Sequence, residues 1–191
     1  MNLDDIPSAR LMGTKLGSLS RLLFEEKLIQ SRSKDFIDDV SKKLKALKQE
    51  KSWEYTIEES NAIKFVPIKD KKLGQIAPRI YIQVAVKAPG NNGISPFTRL
   101  NSTIEVLSLK DELQSRWHID LANRNGTFQA GPLFHLQGGG HKPKGDRQTE
   151  LKVSLPRWDI PPMELILTCE RVLANFYPNQ WKEIRYSFSE K

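Results

Sequence analysis

The sequence predicts an α+β protein: an N-terminal helical hairpin or arm, an antiparallel β-meander of about five to six strands, and a C-terminal amphipathic helix packed on the sheet. Three observations carry that prediction. Apolar residues recur at helical spacing up to Glu50, alternate with polar ones from Trp53, and return to helical spacing after Pro161-Pro162. The chain of 191 residues is 38% apolar and 28% charged, a composition and length that suit one globular unit able to close a core. It divides into a helical segment, 1–50, either a packed hairpin or a partner arm, and a sheet domain with its C-terminal helix, 51–191.

From Ser8 to Gln30, Met12, Leu16, Leu19 and Leu23 follow steps of four and three, the seam of an amphipathic helix. Ser33 is placed to cap a second helix whose face reads Ile37, Val40, Leu44 and Leu47. Each seam covers about two heptads, short of the three or four that a free-standing coiled coil needs. The pair therefore either folds on the sheet or meets another chain. Gly13 and Gly17 have the small-xxx-small spacing of membrane helices, but Arg10, Lys15 and Arg21 forbid that setting and leave the pattern without functional meaning.

Trp53–Ile57 and Ile63–Phe65 alternate as strands do, and Lys69 to Gly74 make a basic turn. In the clearest strand Ile80, Ile82, Val84 and Val86 share one face against Tyr81, Gln83, Ala85 and Lys87; Pro89-Gly90-Asn91-Asn92-Gly93 ends it. Further strands are expected at Thr103–Leu107, Trp117–Ala122, Leu133–Gln137 and Glu150–Leu155, with Asn123-Arg124-Asn125-Gly126 as a hairpin turn. Short polar connections between neighbours favour a meander over repeated βαβ units. Pro161-Pro162 opens the last long helix, whose stripe is Met163, Ile166, Leu167, Val172, Leu173 and Phe176, and Tyr177-Pro178 closes it. A short amphipathic tail around Trp181, Ile184 and Phe188 docks beside it. The order helix, meander, helix is similar to that of the ubiquitin-conjugating and RWD-type folds, a likeness of element order alone.

The formal charge of +7 is unevenly spread. Nearly all the excess lies in Lys64, Lys69, Lys71, Lys72, Arg79, Lys87 and Arg99, opposed only by Asp70 between residues 61 and 100. Such a region attracts nucleic acid or an acidic protein surface, although lysines also guard exposed sheet edges, and the patch lacks the aromatic interleaving that stacks bases. Cys169, the one cysteine, excludes an internal disulfide and a multi-thiolate zinc site. With an acidic start at Asp4-Asp5 and no apolar run of about 18 residues, the expectation is a cytoplasmic protein without a membrane span.

The three histidines, His118, His135 and His141, crowd into one part of the chain. His118 and Asp120 share a strand face, and His135 with Gln137 joins them if the two strands pair with matching faces. Imidazoles beside a carboxylate suit a divalent metal or an acid/base pair, and equally suit the wet side of a half-buried sheet. A divalent metal is the one cofactor such a set would take. Glu150-Leu151-Lys152, with Asp120 upstream, has the outline of the acidic-x-lysine arrangement of metal-dependent nucleases, where carboxylates hold magnesium and lysine steadies water. The glycine run 138–140 followed by His141, Lys142 and Lys144 makes a basic loop able to meet an anion, yet it lacks the P-loop ending and the helix that a phosphate site requires. Cys169 sits mid-helix, the place of a buried inert thiol and not of a nucleophile.

No catalytic set is complete. The expectation is a non-catalytic protein-binding or adaptor subunit of an intracellular complex, meeting a protein partner or a second copy through the N-terminal helices. The alternatives are a metal-dependent hydrolase or nuclease using His118, Asp120 and His135, and a nucleic-acid-binding module using the basic 64–99 region.

Overall fold

The computed structural model describes residues 7–48, 51–87, 96–121, 134–138 and 158–189. Among the described residues, four α-helices pack on an eight-stranded antiparallel sheet. The elements are α1 (Ala9–Glu25), α2 (Ser31–Lys45), β1 (Trp53–Ile57), β2 (Ile63–Lys64), β3 (Ile68–Asp70), β4 (Gly74–Val86), β5 (Phe97–Ser108), β6 (Leu113–Leu121), β7 (Phe134–Gly138), β8 (Trp158–Asp159), α3 (Leu165–Phe176) and α4 (Pro178–Ser189). The sheet order is β1-β4-β5-β6-β7-β8, with β2 and β3 also pairing on β4. The strands not expected from the sequence are β3, which takes the first residues of the expected basic turn, and β8; at three and two residues they carry too little alternation to be read. The long strand β4 is the spine: β3, β2 and β1 pair along one edge of it in turn, and β5 runs along the other.

One face of the sheet is apolar. Ile80, Ile82, Val84 and Val86 lie on it with Trp53, Tyr55 and Ile57 from β1 and Leu100 and Ile104 from β5, all buried. The α1–α2 hairpin and the α3–α4 pair cover this face, and their seams enter the same core: Met12, Leu16, Leu19 and Leu23, then Ile37, Val40 and Leu44, then Leu165, Cys169, Val172 and Leu173. Both N-terminal seams are thus consumed inside the molecule. Leu47 lies past the end of α2 and is 42% exposed.

Ser8 caps α1 by accepting the Leu11 N–H, and Lys27 closes it in the left-handed region at φ 54°. Ser33 is not the expected cap of α2. The helix begins at Ser31 with Gln30 at the cap position, and Ser33 instead ties it to β2, its Oγ accepting the Lys64 N–H at 2.8 Å and donating to the Lys64 carbonyl. Gly13 and Gly17 mark a close approach of α1 to α2. A Cβ on Gly13 would lie 2.8 Å from the Ser41 carbonyl oxygen, and one on Gly17 would lie 2.9 Å from the Ser41 hydroxyl. Small residues at that spacing serve a helix crossing in water as well as in lipid.

The last long helix does not open at Pro161-Pro162. It starts at Leu165, because the Glu164 carboxylate caps it by accepting the Ile166 and Leu167 N–H groups. The buried stripe accordingly contains Leu165, Thr168 and Cys169, while Ile166 and Leu167 stay partly exposed. No described helix is long and apolar enough to cross a membrane. The expected strand at Glu150–Leu155 and the turns at 89–93 and 123–126 lie outside the described residues.

Candidate functional site

Alternation puts every second side chain of β4, β5, β6 and β7 on the face opposite the helices, and antiparallel register lines these up in rows. The first row is Arg79, Glu105 and Arg116. The second is Tyr81, Thr103, His118 and Gln137. The third is Gln83, Asn101, Asp120, His135 and Asp159. No described helix lies on this face.

The first row is an ion cluster. Glu105, with its side chain 0% exposed, accepts from Arg79 Nε at 2.6 Å and from Arg116 Nε at 2.5 Å; Tyr81 donates to it at 3.3 Å. Arg79 also reaches Glu59 Oε1 at 2.8 Å, from the turn Glu59–Asn61 that follows β1. Burial raises the Tyr81 hydroxyl above its usual range, and the Glu105 charge adds to the effect, so the phenol stays a donor. A carboxylate this deep is tolerable only because charged donors occupy both of its oxygens.

The sequence-predicted residues His118, Asp120 and His135 do share this face. Asp120 stands directly opposite His135, Cβ atoms about 5 Å apart in such pairs, while His118 is diagonal to His135 at about 7–8 Å. His118 Nδ1 lies 2.9 Å from the buried Thr103 hydroxyl. The register adds Asp159, which no sequence pattern ties to the histidines, on the other side of His135. Among the described residues no three His, Cys, Asp or Glu side chains converge closely enough to hold a metal ion. Glu150, Lys152, His141, Lys142 and Lys144 lie outside the described residues.

The basic region is divided by the length of β4, whose 13 residues span about 40 Å. Lys69, Lys71 and Lys72 are exposed toward its start, Lys64 is exposed opposite Arg79 near its middle, and Lys87 and Arg99 are exposed toward its end, while Arg79 itself pairs with Glu105 and Glu59. Residues contiguous in sequence are not one patch in space.

On the helix side the structure holds two features that the sequence did not announce. Near the N-terminus of α3, the Leu165 N–H donates to the Tyr55 hydroxyl beneath Glu164. Loss of water around the Glu164 carboxyl pushes its pKa up to about 7, against the opposing pull of the Ile166 and Leu167 N–H groups, while the residue as a whole keeps some solvent contact. Burial raises the Cys169 thiol well above its ordinary range, with Glu164 adding to the shift, which makes it inert.

The second feature is a cavity of about 360 Å³ beside α3. Its floor is Ile104, Trp117, Ile119 and Leu136 from β5, β6 and β7; Val172 and Phe176 overhang it, and Ile160 and Met163 close one side. Arg171 and Asn175 are the polar side chains among the described lining residues. It exists because α3, 12 residues and about 18 Å long, packs on β4 and β5 and leaves β6 and β7 only partly covered. The signal for it was the apolar alternation of Trp117 and Ile119, which demanded a cover that one short helix does not fully supply.

No family model matches the chain, and neither a curated protein nor a solved structure matches it significantly.

Proposed function

We propose that the protein is a non-catalytic binding or adaptor subunit, and that the surface it offers a protein partner is the polar face of the sheet. The observation that carries this reading is the Arg79–Glu105–Arg116 cluster with Tyr81 and Glu59. Its side chains are tied to one another in fixed geometry instead of converging on a place where a reactant could sit. Arginine and tyrosine held in this way lose little further freedom when a partner docks, and both are enriched at interface hot spots. Contact through the N-terminal helices is left to their outer surfaces, where Leu11 and Phe24 are 48% and 42% exposed, because the seams are inside.

A photo-crosslinking residue at Gln83 on the sheet face, compared with one at Leu11 on α1, tests this directly. Defined adducts from Gln83 and none from Leu11 are the expected result. Adducts from Leu11 alone would move the interface to the helices, and adducts from neither would remove the adaptor reading.

A second reading, a metal-dependent hydrolase or nuclease using His118, Asp120 and His135, rests on Asp120 standing opposite His135, with no third described ligand close enough to complete a metal site. It requires zinc or manganese to bind the purified chain and to be lost from Asp120→Asn and His135→Gln; calorimetric titration without a metal signal disposes of it. For nucleic-acid binding through residues 64–99, retention on duplex DNA must weaken with a log–log salt slope of about −0.9 per phosphate neutralised.

A further inference from the structure

We infer that the cavity beside α3 is a binding site for a small amphiphilic monocarboxylate, its apolar body lying on Trp117, Ile119 and Leu136 and its carboxylate on Arg171. The space, about 360 Å³, falls in the range of small-molecule pockets and far exceeds the voids of ordinary packing. At about 30 Å³ per water it corresponds to roughly a dozen waters. Apolar walls offer those waters few hydrogen-bond partners, so an apolar occupant of about a dozen non-hydrogen atoms suits the space better.

The head group follows from charge. Arg171 is the one charged side chain among the described lining residues, and no described carboxylate forms an ion pair with it. A planar guanidinium matches a carboxylate with two parallel hydrogen bonds, and a single cation balances a single negative charge. Trp158 supports the same polarity of binding. It pairs with Leu136 across β7 and β8, so it stands on the cavity side of the sheet, and it is 64% exposed. A tryptophan left in water beside an apolar opening extends the surface available to the ligand's body.

Decanoate, with nine CH₂/CH₃ carbons and a carboxylate, is the probe of matching size, and decanol is its uncharged counterpart. Calorimetric titration and tryptophan fluorescence of the full chain are the readouts. Decanoate is expected to bind the native chain, to bind Arg171→Leu about tenfold more weakly, the loss of one charge-assisted contact, and to be excluded by Leu136→Trp, which fills the floor. Arg171 is exposed, so its substitution leaves the fold intact, and circular dichroism of both variants establishes that they are folded. Decanol is expected to bind the native chain and Arg171→Leu equally and weakly. The proposal is overturned if decanoate gives no signal at about 1 mM, the weak end of specific affinity, or if both substitutions leave its binding unchanged. Decanol binding as tightly as decanoate overturns the assignment of the head group to Arg171.

Discussion

Replacing Glu105 by leucine tests the reasoning about the polar sheet face most sharply. In the folded protein the carboxylate is fully buried and sits between two guanidiniums whose side chains are themselves only 19% and 25% exposed. Leucine removes the charge and leaves Arg79 and Arg116 facing each other across a site with little water. Breaking a buried pair by deleting one partner costs about 3–5 kcal/mol. The lower end applies here, because Arg79 keeps Glu59 at 2.8 Å and both arginines retain some solvent. A loss of about 3 kcal/mol, or about 6–12 °C in Tm for a chain of this size, is expected. Urea unfolding followed by tryptophan fluorescence measures it. The double change Glu105→Leu with Arg116→Leu removes the uncompensated charge and should recover a good part of the loss, as apolar replacement of buried ion sets does. A single variant losing less than about 1 kcal/mol would refute the argument, for the cluster would then behave as a solvated surface pair.

Three further outcomes are expected. Because Glu164 is raised in the folded state from 4.5 to about 7, the native protein binds its proton more tightly than the unfolded chain does, so the stability this group contributes is present below pH 4.5 and lost as pH rises through 7. Allowing for its partial solvent contact, Glu164→Gln should flatten the stability difference between about pH 5 and pH 8 by about 1–2 kcal/mol, and an unchanged slope would assign that dependence elsewhere. Gly13→Ala places a methyl 2.8 Å from the Ser41 carbonyl and 3.1 Å from Leu44 Cβ. It should cost about 1–3 kcal/mol in spite of the better helix propensity of alanine, and a variant of equal or higher Tm would show that the hairpin can spread without loss. Cys169 should resist a thiol reagent in the native protein and react fully in denaturant, whereas rapid native reaction would contradict its burial in α3.

The candidate site was legible by composition and not by geometry. His118 and Asp120 could be assigned to one face from their own strand, because side chains two residues apart point the same way whatever the partner. That His135 falls between Asp120 and Asp159 could not, since β8 is two residues long and lies far from β6 in sequence. Glu105 drew no attention, being one acidic residue in an apolar run; only pairing with β4 and β6 sets it between two arginines. The basic excess between residues 64 and 99 is spread along one long strand, a spacing that charge counting along the chain does not record.

What the sequence determined by itself was the type of each main element and which side of it is apolar: helical seams at Met12–Leu23 and Ile37–Leu44, and the alternation from Ile80 to Val86. These follow from periodicity, a local geometric property that needs no knowledge of the neighbours. The tertiary structure decided which strands pair and in what register, how closely α1 approaches α2 at Gly13, and how far α3 reaches across the sheet. Each of these depends on contacts between segments distant along the chain, whose free energies are settled together when the core closes, and no local pattern records them.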